Sequence, residues 1–158
     1  MQAGAPHGLV PMGGTALNMV RIEAGLMIAG PEFGPDHDAL EAGLEFSVDL
    51  KKESFVGRPA PERNAAASRR VLVGLHIAGI MPPSRRRCLV GREKVDVVTS
   101  ACHSPQLGHP IAMAHMTVEN AEIDSNLEVG KLDGHMKRLL CTVAPLPFLD
   151  PKRIKARA

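Results

Sequence analysis

The amino-acid sequence predicts an α+β protein in which one amphipathic helix is followed by a small antiparallel β-barrel. Apolar residues recur at helical spacing between Leu17 and Gly30. The second half of the chain instead consists of short β-rich runs separated by Gly, Pro, Asn or Asp. A stretch of linker composition, Pro59 to Ser68, lies between the two patterns and is the best candidate for a domain boundary.

The predicted helix extends from Leu17 to Gly30, which corresponds to about four turns. The preceding Thr15 can cap it, and Pro31 cannot continue it. Its apolar stripe comprises Leu17, Val20, Ala24, Met27 and Ile28. Arg21 and Glu23 are two residues apart, so they point in different directions from a helix and do not form an i,i+4 surface pair. One of them is therefore a candidate for an inward-facing residue, although composition alone favours a solvated carboxylate at Glu23.

The segment between the helix and the linker is predicted to have mixed structure. Residues 31–38, PEFGPDHD, indicate a polar loop because Pro31, Gly34 and Pro35 prevent helix continuation. A short helical turn is predicted at 39–42, and a strand at 44–50, where Phe46 and Val48 begin an alternating pattern. Residues 51–57 are predicted to form a turn and an apolar plug.

Short strands at regular spacing are predicted beyond the linker. They cover residues 71–77, 87–90, 95–99, 111–118, 127–132 and 135–143. No helical run interrupts them, which argues against a parallel α/β sheet and favours a small barrel or sandwich.

Composition narrows the class of protein. The chain has 158 residues, a formal charge of +2 and 23% charged residues, so bulk electrostatics demand neither nucleic acid nor a membrane surface. It has no Trp and no Tyr, so a planar ligand would be held by Phe, Leu, Met and Ile. The three widely spaced cysteines lack a CxxC pair and argue against a disulfide framework or a structural zinc site. A reducing cytoplasm fits best, since neither a signal pattern nor an apolar run of membrane-spanning length is present.

Several polar clusters are predicted to have ordinary surface roles and not to form functional sites. Asp36, His37 and Asp38 are flanked by turn formers, and His103, His109 and His115 have a spacing that suits one metal ion poorly. Ser104 lies beside histidines, but no strained GxSxG turn surrounds it, so a hydrolase is not favoured.

Five segments carry motifs that are more specific than composition. They are VRIEAG at 20–25, ALEAGLEFSVDLKKESFVGR at 39–58, RVLVGL at 70–75, VTSACHSPQLGHPIAMAHM at 98–116 and APLPFLDPKRIKARA from 144 onward. In this order and spacing they resemble the glycine-cleavage aminomethyltransferase family, known as the T-protein. They also resemble the homologous C-terminal halves of sarcosine and dimethylglycine dehydrogenases. The resemblance covers nearly the whole chain.

The resemblance implies two domains and a cofactor. Residues 1–66 would be the C-terminal part of an incomplete folate-binding domain, and residues 67–158 the C-terminal β-barrel domain. The implied activity is a tetrahydrofolate-dependent transfer of an aminomethyl or methyl group, with the pterin held in a channel between domains.

Two folate contacts follow from the family's motifs. Glu23 stands where the family's Glu binds the amino-pyrimidine edge of the pterin, and a carboxylate suits that edge because it offers two acceptors to adjacent N–H donors. Arg70 stands where the family's Arg would meet the carboxylates of the glutamate tail, with Arg69 as the alternative register.

The chain also departs from the family's pattern. Ala29 replaces an aromatic residue, Asp96 and Ala101 replace glycines, and His109 replaces a lysine. The family's catalytic Asp belongs to a further N-terminal region, so no catalytic residue is assigned here. We therefore expect a truncated, C-terminal portion that binds folate weakly and is inactive alone. Its expected partners, besides folate, are a missing N-terminal half or a dehydrogenase subunit.

The alternative function is a non-catalytic β-barrel module that binds RNA or a partner subunit. Arg85, Arg86 and Arg87 form a basic turn, and the tail adds Lys152 and Arg153. Phosphate contacts need only such cations, but readers of single strands normally add stacking aromatics, which this sequence nearly lacks. A nucleic-acid partner is therefore not favoured, and a membrane partner is not expected.

Overall fold

The structure, a computed structural model, describes residues 2–35, 37, 39–59, 70–79, 87–90, 93–130 and 138–151. Within these ranges one α-helix, α1 (Gly14–Glu23), precedes six strands. These are β1 (Arg70–Ile77), β2 (Arg87–Val90), β3 (Glu93–His103), β4 (Pro110–Thr117), β5 (Asn126–Gly130) and β6 (Arg138–Ala144). Short 3₁₀ turns occur at Gln2–His7, Glu45–Ser47 and Val118–Asn120.

The six strands form a closed barrel in the order β1-β4-β3-β2-β5-β6, and β6 returns to pair with β1. All neighbouring strands are antiparallel. The predicted fold class, α+β with a small antiparallel barrel, is confirmed. The strands also lie close to their predicted positions, except that β3 continues to His103 rather than stopping at Thr99.

Strand β4 is buried on both faces, which explains why its sequence is apolar almost throughout. Ala112, Ala114 and Met116 point into the barrel core. Ile111 and Met113 point outward and pack against Ile22 of α1. The helix and the loop that follows it therefore cover the outer face of β3 and β4. The RIEAG motif, at the end of this helix, therefore lies against the barrel.

A β-bulge at Thr99 decides which residues of β3 meet that cover. Val98 pairs with Ala114 and Ser100 pairs with Met113, so Thr99 is the extra residue. Without the bulge, Val98 and Ser100 would share a face, because strand side chains alternate. The bulge leaves Val98 in the core and turns Ser100 outward, beneath the helix.

Helix α1 is shorter than predicted and ends at Glu23 rather than at Gly30. The Gly25 N–H bonds to the Ile22 carbonyl and the Leu26 N–H bonds to the Arg21 carbonyl, the two hydrogen bonds of a Schellman motif. Gly25 has φ +64°, and a Cβ there would lie 3.1 Å from Pro147 Cα. Glycine at this position thus serves both the left-handed turn and the close approach of the chain's closing segment.

Other local predictions for the first part of the chain were wrong. The helix is preceded by Gly13 and has no side-chain cap, so Thr15 does not cap it. The proposed stripe is not the buried face, since Leu17 and Val20 are exposed while Ile22 is buried. Residues 44–50 are not a strand, and within them Glu45–Ser47 forms a 3₁₀ turn. Val56 is fully exposed and forms no apolar plug.

Candidate functional site

Glu23 is buried at the C-terminal end of α1, where it contacts the hairpin loop between β3 and β4. Only 4% of the residue is exposed. Its Oε1 accepts hydrogen bonds from Ser104 Oγ at 2.5 Å and from the Gln106 N–H at 3.2 Å. Ser104 Oγ in turn accepts the Leu107 N–H at 3.0 Å. The loop SPQL therefore orients one carboxylate oxygen, while Oε2 accepts no hydrogen bond from the residues that the structure describes.

The position of this carboxylate is electrostatically unfavourable. Negative charge is disfavoured at the C-terminal end of a helix, where the unpaired carbonyls already carry partial negative charge. Glu23 also helps to raise the pKa of the neighbouring Cys102 to about 11, an effect that is due mainly to burial of the thiol. A buried acid that breaks a local rule is typical of functional positions.

Arg21, Glu32 and Ser100 form a second buried polar cluster beside Glu23. Arg21 Nη1 lies 3.2 Å from Glu32 Oε2, and Arg21 Nη2 donates to Ser100 Oγ at 2.6 Å. Ser100 Oγ donates to Glu32 Oε1 at 2.5 Å, and the Ile28 N–H donates to Glu32 Oε2 at 3.1 Å. The cluster ties helix α1, the following loop and strand β3 together. It thereby fixes the end of the helix that carries Glu23.

Glu32 and Ser100 were not predicted as site residues. Glu32 is fully buried although it lies in a stretch predicted to be a polar loop. A signal was available, because a buried arginine at position 21 requires a carboxylate partner. The bulge that aims Ser100 at this pair has no simple sequence signature.

Arg70 lies elsewhere, at the start of β1, where it lines a cavity of about 590 Å³. The cavity also borders Gly30, Thr99 and two histidines. His37 and His115 stack with ring centroids 4.1 Å apart and planes 10° apart, and His115 Nε2 lies 3.0 Å from the Glu32 carbonyl. Histidine faces and an arginine thus border a space large enough for part of a planar anionic ligand.

The two predicted folate contacts are not brought together. Glu23 reaches the hairpin before Pro110, whereas Arg70 pairs with Thr117 at the other end of β4. Seven residues of strand separate these ends, a span of about 23 Å. A second cavity of about 370 Å³ is lined by Ala24 and Gly25, directly after Glu23. The roles of Glu23 and Arg70 in folate binding therefore stay predictions.

The three histidines considered as one cluster have separate surroundings. His103 is exposed, His109 lies against His76, and His115 is buried beneath His37. Within the described ranges, no three His, Cys, Asp or Glu side chains are arranged to hold one metal ion.

Some candidate residues lie outside the described part of the chain. They are Asp36, Asp38, Arg69, Arg85, Arg86, Lys152 and Arg153, together with most of the predicted linker.

Comparison with known proteins accounts for both parts of the structure. Residues 70–150, which span the barrel, match the family model described as the glycine cleavage T-protein C-terminal barrel domain. Residues 1–52 match the model described as the GCVT N-terminal domain. The barrel therefore corresponds to one domain of this class, and Glu23 lies in the segment that matches the other domain. The chain belongs to the glycine cleavage T-protein family, as its motifs indicated.

Named relatives span different activities. The chain is 44% identical over 160 residues to a trimethylamine-oxide aldolase of Ruegeria pomeroyi, covering 99% of this chain and 20% of that protein. It is 41% identical over 150 residues to an aminomethyltransferase of Cutibacterium acnes, covering 94% of this chain and 39% of the relative. The chain therefore spans between a fifth and two fifths of these relatives.

A solved structure shares the architecture. The glycine cleavage system aminomethyltransferase T from Bartonella henselae superposes with a TM-score of 0.77 and 25% sequence identity. The match covers 85% of this chain and 38% of that one. In the described part of this chain, no helix has the length and apolar character needed to cross a membrane.

Proposed function

We propose that this chain supplies part of a tetrahydrofolate-binding wall for one-carbon transfer, with Glu23 holding the pterin edge. The observation that carries the proposal is the buried carboxylate at the end of α1, oriented by the SPQL loop, where two family-like motifs meet. Family membership supports folate as the cofactor.

The hydrogen bonds of Glu23 leave one of its carboxylate oxygens, Oε2, for a ligand. A carboxylate has four lone-pair sites, and Ser104 and Gln106 occupy two of them, both on Oε1. A bidentate pair with the pterin's N–H groups uses Oε2 directly and needs Ser104 to rotate away from Oε1. A monodentate contact through Oε2 needs no rearrangement. The Ser104 bond therefore competes with the ligand, and weak folate binding is expected.

Arg70 is proposed to meet the other end of the ligand. Folate is elongated, with its pterin and its glutamate carboxylates at opposite ends, so contacts at opposite ends of β4 are compatible with one extended molecule. The cavity beside Arg70 offers the stacked His37 and His115 rings as a wall.

Calorimetric titration of the chain with tetrahydrofolate tests this proposal. We expect saturable binding that Glu23→Gln and Arg70→Gln each weaken about tenfold or more, because each removes a charge-assisted hydrogen bond. Glu45→Gln and Lys51→Gln, at exposed positions, are matched controls and should bind as the wild type does. No saturable binding by the wild type, or equal losses in the controls, would contradict the proposal.

The donor of the one-carbon unit is proposed to be engaged by chain regions other than this one. The relatives' names differ, one being an aminomethyltransferase and another a trimethylamine-oxide aldolase, although each aligns with nearly all of this chain. A segment that is shared by proteins with different named activities is a better candidate for the folate-binding part than for the part that binds the donor. We expect the purified chain, in the presence of tetrahydrofolate, to form no product from an aminomethyl donor or from trimethylamine oxide. Steady product formation would overturn this assignment.

A further inference from the structure

His76 and His109 form a pair that the proposed folate site does not use. His76 lies on β1 and His109 directly precedes β4, and their ring nitrogens Nδ1 and Nε2 are 2.8 Å apart. Both rings are half-buried, so they are accessible to small solutes. His109 stands where the family's motif has lysine, so the pair is a feature of this chain and not a requirement of the fold.

The hydrogen bonds assign the protons. His109 Nδ1 lies 2.9 Å from the Leu107 carbonyl, which can only accept, so this nitrogen carries the hydrogen. In the neutral imidazole, Nε2 of His109 then presents a lone pair, to which His76 Nδ1 donates. A backbone carbonyl that fixes the tautomer in this way is the usual outer contact of a metal-binding imidazole.

We propose that His76 and His109 form a two-histidine site for a late first-row divalent metal ion such as Zn²⁺ or Ni²⁺. The metal ion takes the place of the shared proton, which moves from Nδ1 to Nε2 of the His76 ring through solvent. Water fills the remaining coordination positions. Imidazole nitrogens suit these ions, whereas Mg²⁺ and Ca²⁺ prefer oxygen ligands.

The ring spacing fits such an ion. The two centroids are 4.9 Å apart. With metal–nitrogen bonds of about 2.0 Å, each centroid lies about 3.2 Å from the metal, and the angle at the metal is then about 100°. This angle is close to the tetrahedral value. The rings need only pivot in place, which widens the nitrogen separation to about 3.1 Å.

The surroundings favour a bound cation. His76 is held between two paired strands, opposite Ile111 on β4 and Thr142 on β6, so little order must be gained on binding. The Asp124 carboxylate acts electrostatically on the His76 ring, and its negative charge attracts a positive ion to this place.

Titration of the full chain with ZnCl₂ and NiCl₂ in a non-chelating buffer at neutral pH tests the site. We expect one strong site per chain, weakened about tenfold or more by His76→Asn or His109→Gln, which keep a hydrogen-bonding group near Nδ1 and Nε2 respectively. His103→Gln, at an exposed histidine outside the pair, is the matched control and should bind normally. The proposal is wrong if His103→Gln loses as much metal affinity as the His76 and His109 variants. It is also wrong if the His76 and His109 variants keep the metal affinity of the wild type.

A second measurement does not depend on the variants' folding. Paramagnetic Ni²⁺ added to the wild type should broaden the imidazole proton resonances of His76 and His109 first among the seven histidines. Earlier broadening of other histidines would show that the ion binds elsewhere and would overturn the assignment.

Discussion

Among single residues, Glu32 is hydrogen-bonded through both its carboxylate and its backbone carbonyl. Its carboxylate meets the Arg21 guanidinium, the Ser100 hydroxyl and the Ile28 N–H, and its carbonyl meets His115. Because the side chain is fully buried, these partners replace all of its hydration. Glu32 thus connects the loop after α1 to two strands of the barrel.

The substitution Glu32→Gln should destabilise the protein by about 3 kcal/mol or more, since it leaves the buried Arg21 guanidinium without its counter-charge. Urea unfolding followed by circular dichroism measures the change. Glu45→Gln removes an exposed carboxylate and should change stability by less than about 0.5 kcal/mol. Similar losses in the two variants would show that the Arg21–Glu32 pair contributes little.

The sequence could indicate Glu23 but not its surroundings. Two residues of RIEAG had to face different ways, and the motif singled out the glutamate. Its partners Ser104 and Gln106 lie 81 and 83 residues further along the chain, so no local sequence pattern connects them to Glu23. Glu32 was missed because loop composition suggests solvent exposure, whereas burial depends on the strand beneath the loop.

At the scale of elements, β1 to β6 were predictable because alternation and turn residues mark strand ends locally. The bulge at Thr99 interrupts that alternation, so β3 seemed to end four residues before His103. The helix was overextended for the opposite reason. Met27 and Ile28 continue the helical spacing, but Gly25 had already turned the chain through a left-handed conformation.

The closing segment after β6 imposes a size limit on β1. A Cβ at Gly74 would lie 2.8 Å from two ring carbons of Phe148 and 3.1 Å from the Ala144 carbonyl oxygen. Gly74→Ala should therefore cost about 1–3 kcal/mol, through displacement of the ring. Phe148→Leu in the same protein should recover part of this loss, because the shorter side chain leaves room for the methyl group.

Chemical denaturation of the two single variants and the double variant gives the coupling energy between positions 74 and 148. A favourable coupling is expected. Strictly additive losses would show that the clash is with the Ala144 backbone rather than with the ring.

For the whole molecule, burial protects all three cysteines, with Cys88 and Cys141 inside the barrel and Cys102 on its outer face against Ile22 of α1. Cys88 is fully buried, and burial is the main cause that raises the pKa of Cys102 to about 11 and of Cys141 to about 12. The thiolate is the reactive form, and little of it exists at such pKa values near pH 8. The thiols should therefore behave as inert core residues.

A coloured aromatic disulfide reagent at pH 8 should leave the native protein unmodified and should react with three thiols after unfolding in urea. Reaction at intermediate urea concentrations should then follow the opening of the barrel. Rapid modification of Cys88 or Cys141 without denaturant would contradict the closed barrel, and rapid modification of Cys102 would contradict its burial beneath α1.

The pairing of β6 with β1 has a consequence for synthesis on the ribosome. About 60 residues separate Ile77 from Arg138, so translation at about 5–20 residues per second delays the final strand by about 3–12 s. Until β6 emerges, β1 and β5 each present an unpaired edge that can recruit strands from neighbouring nascent chains. Slower translation of the segment between β1 and β6 should therefore increase aggregation of the nascent protein and its dependence on chaperones. The final fold should not change.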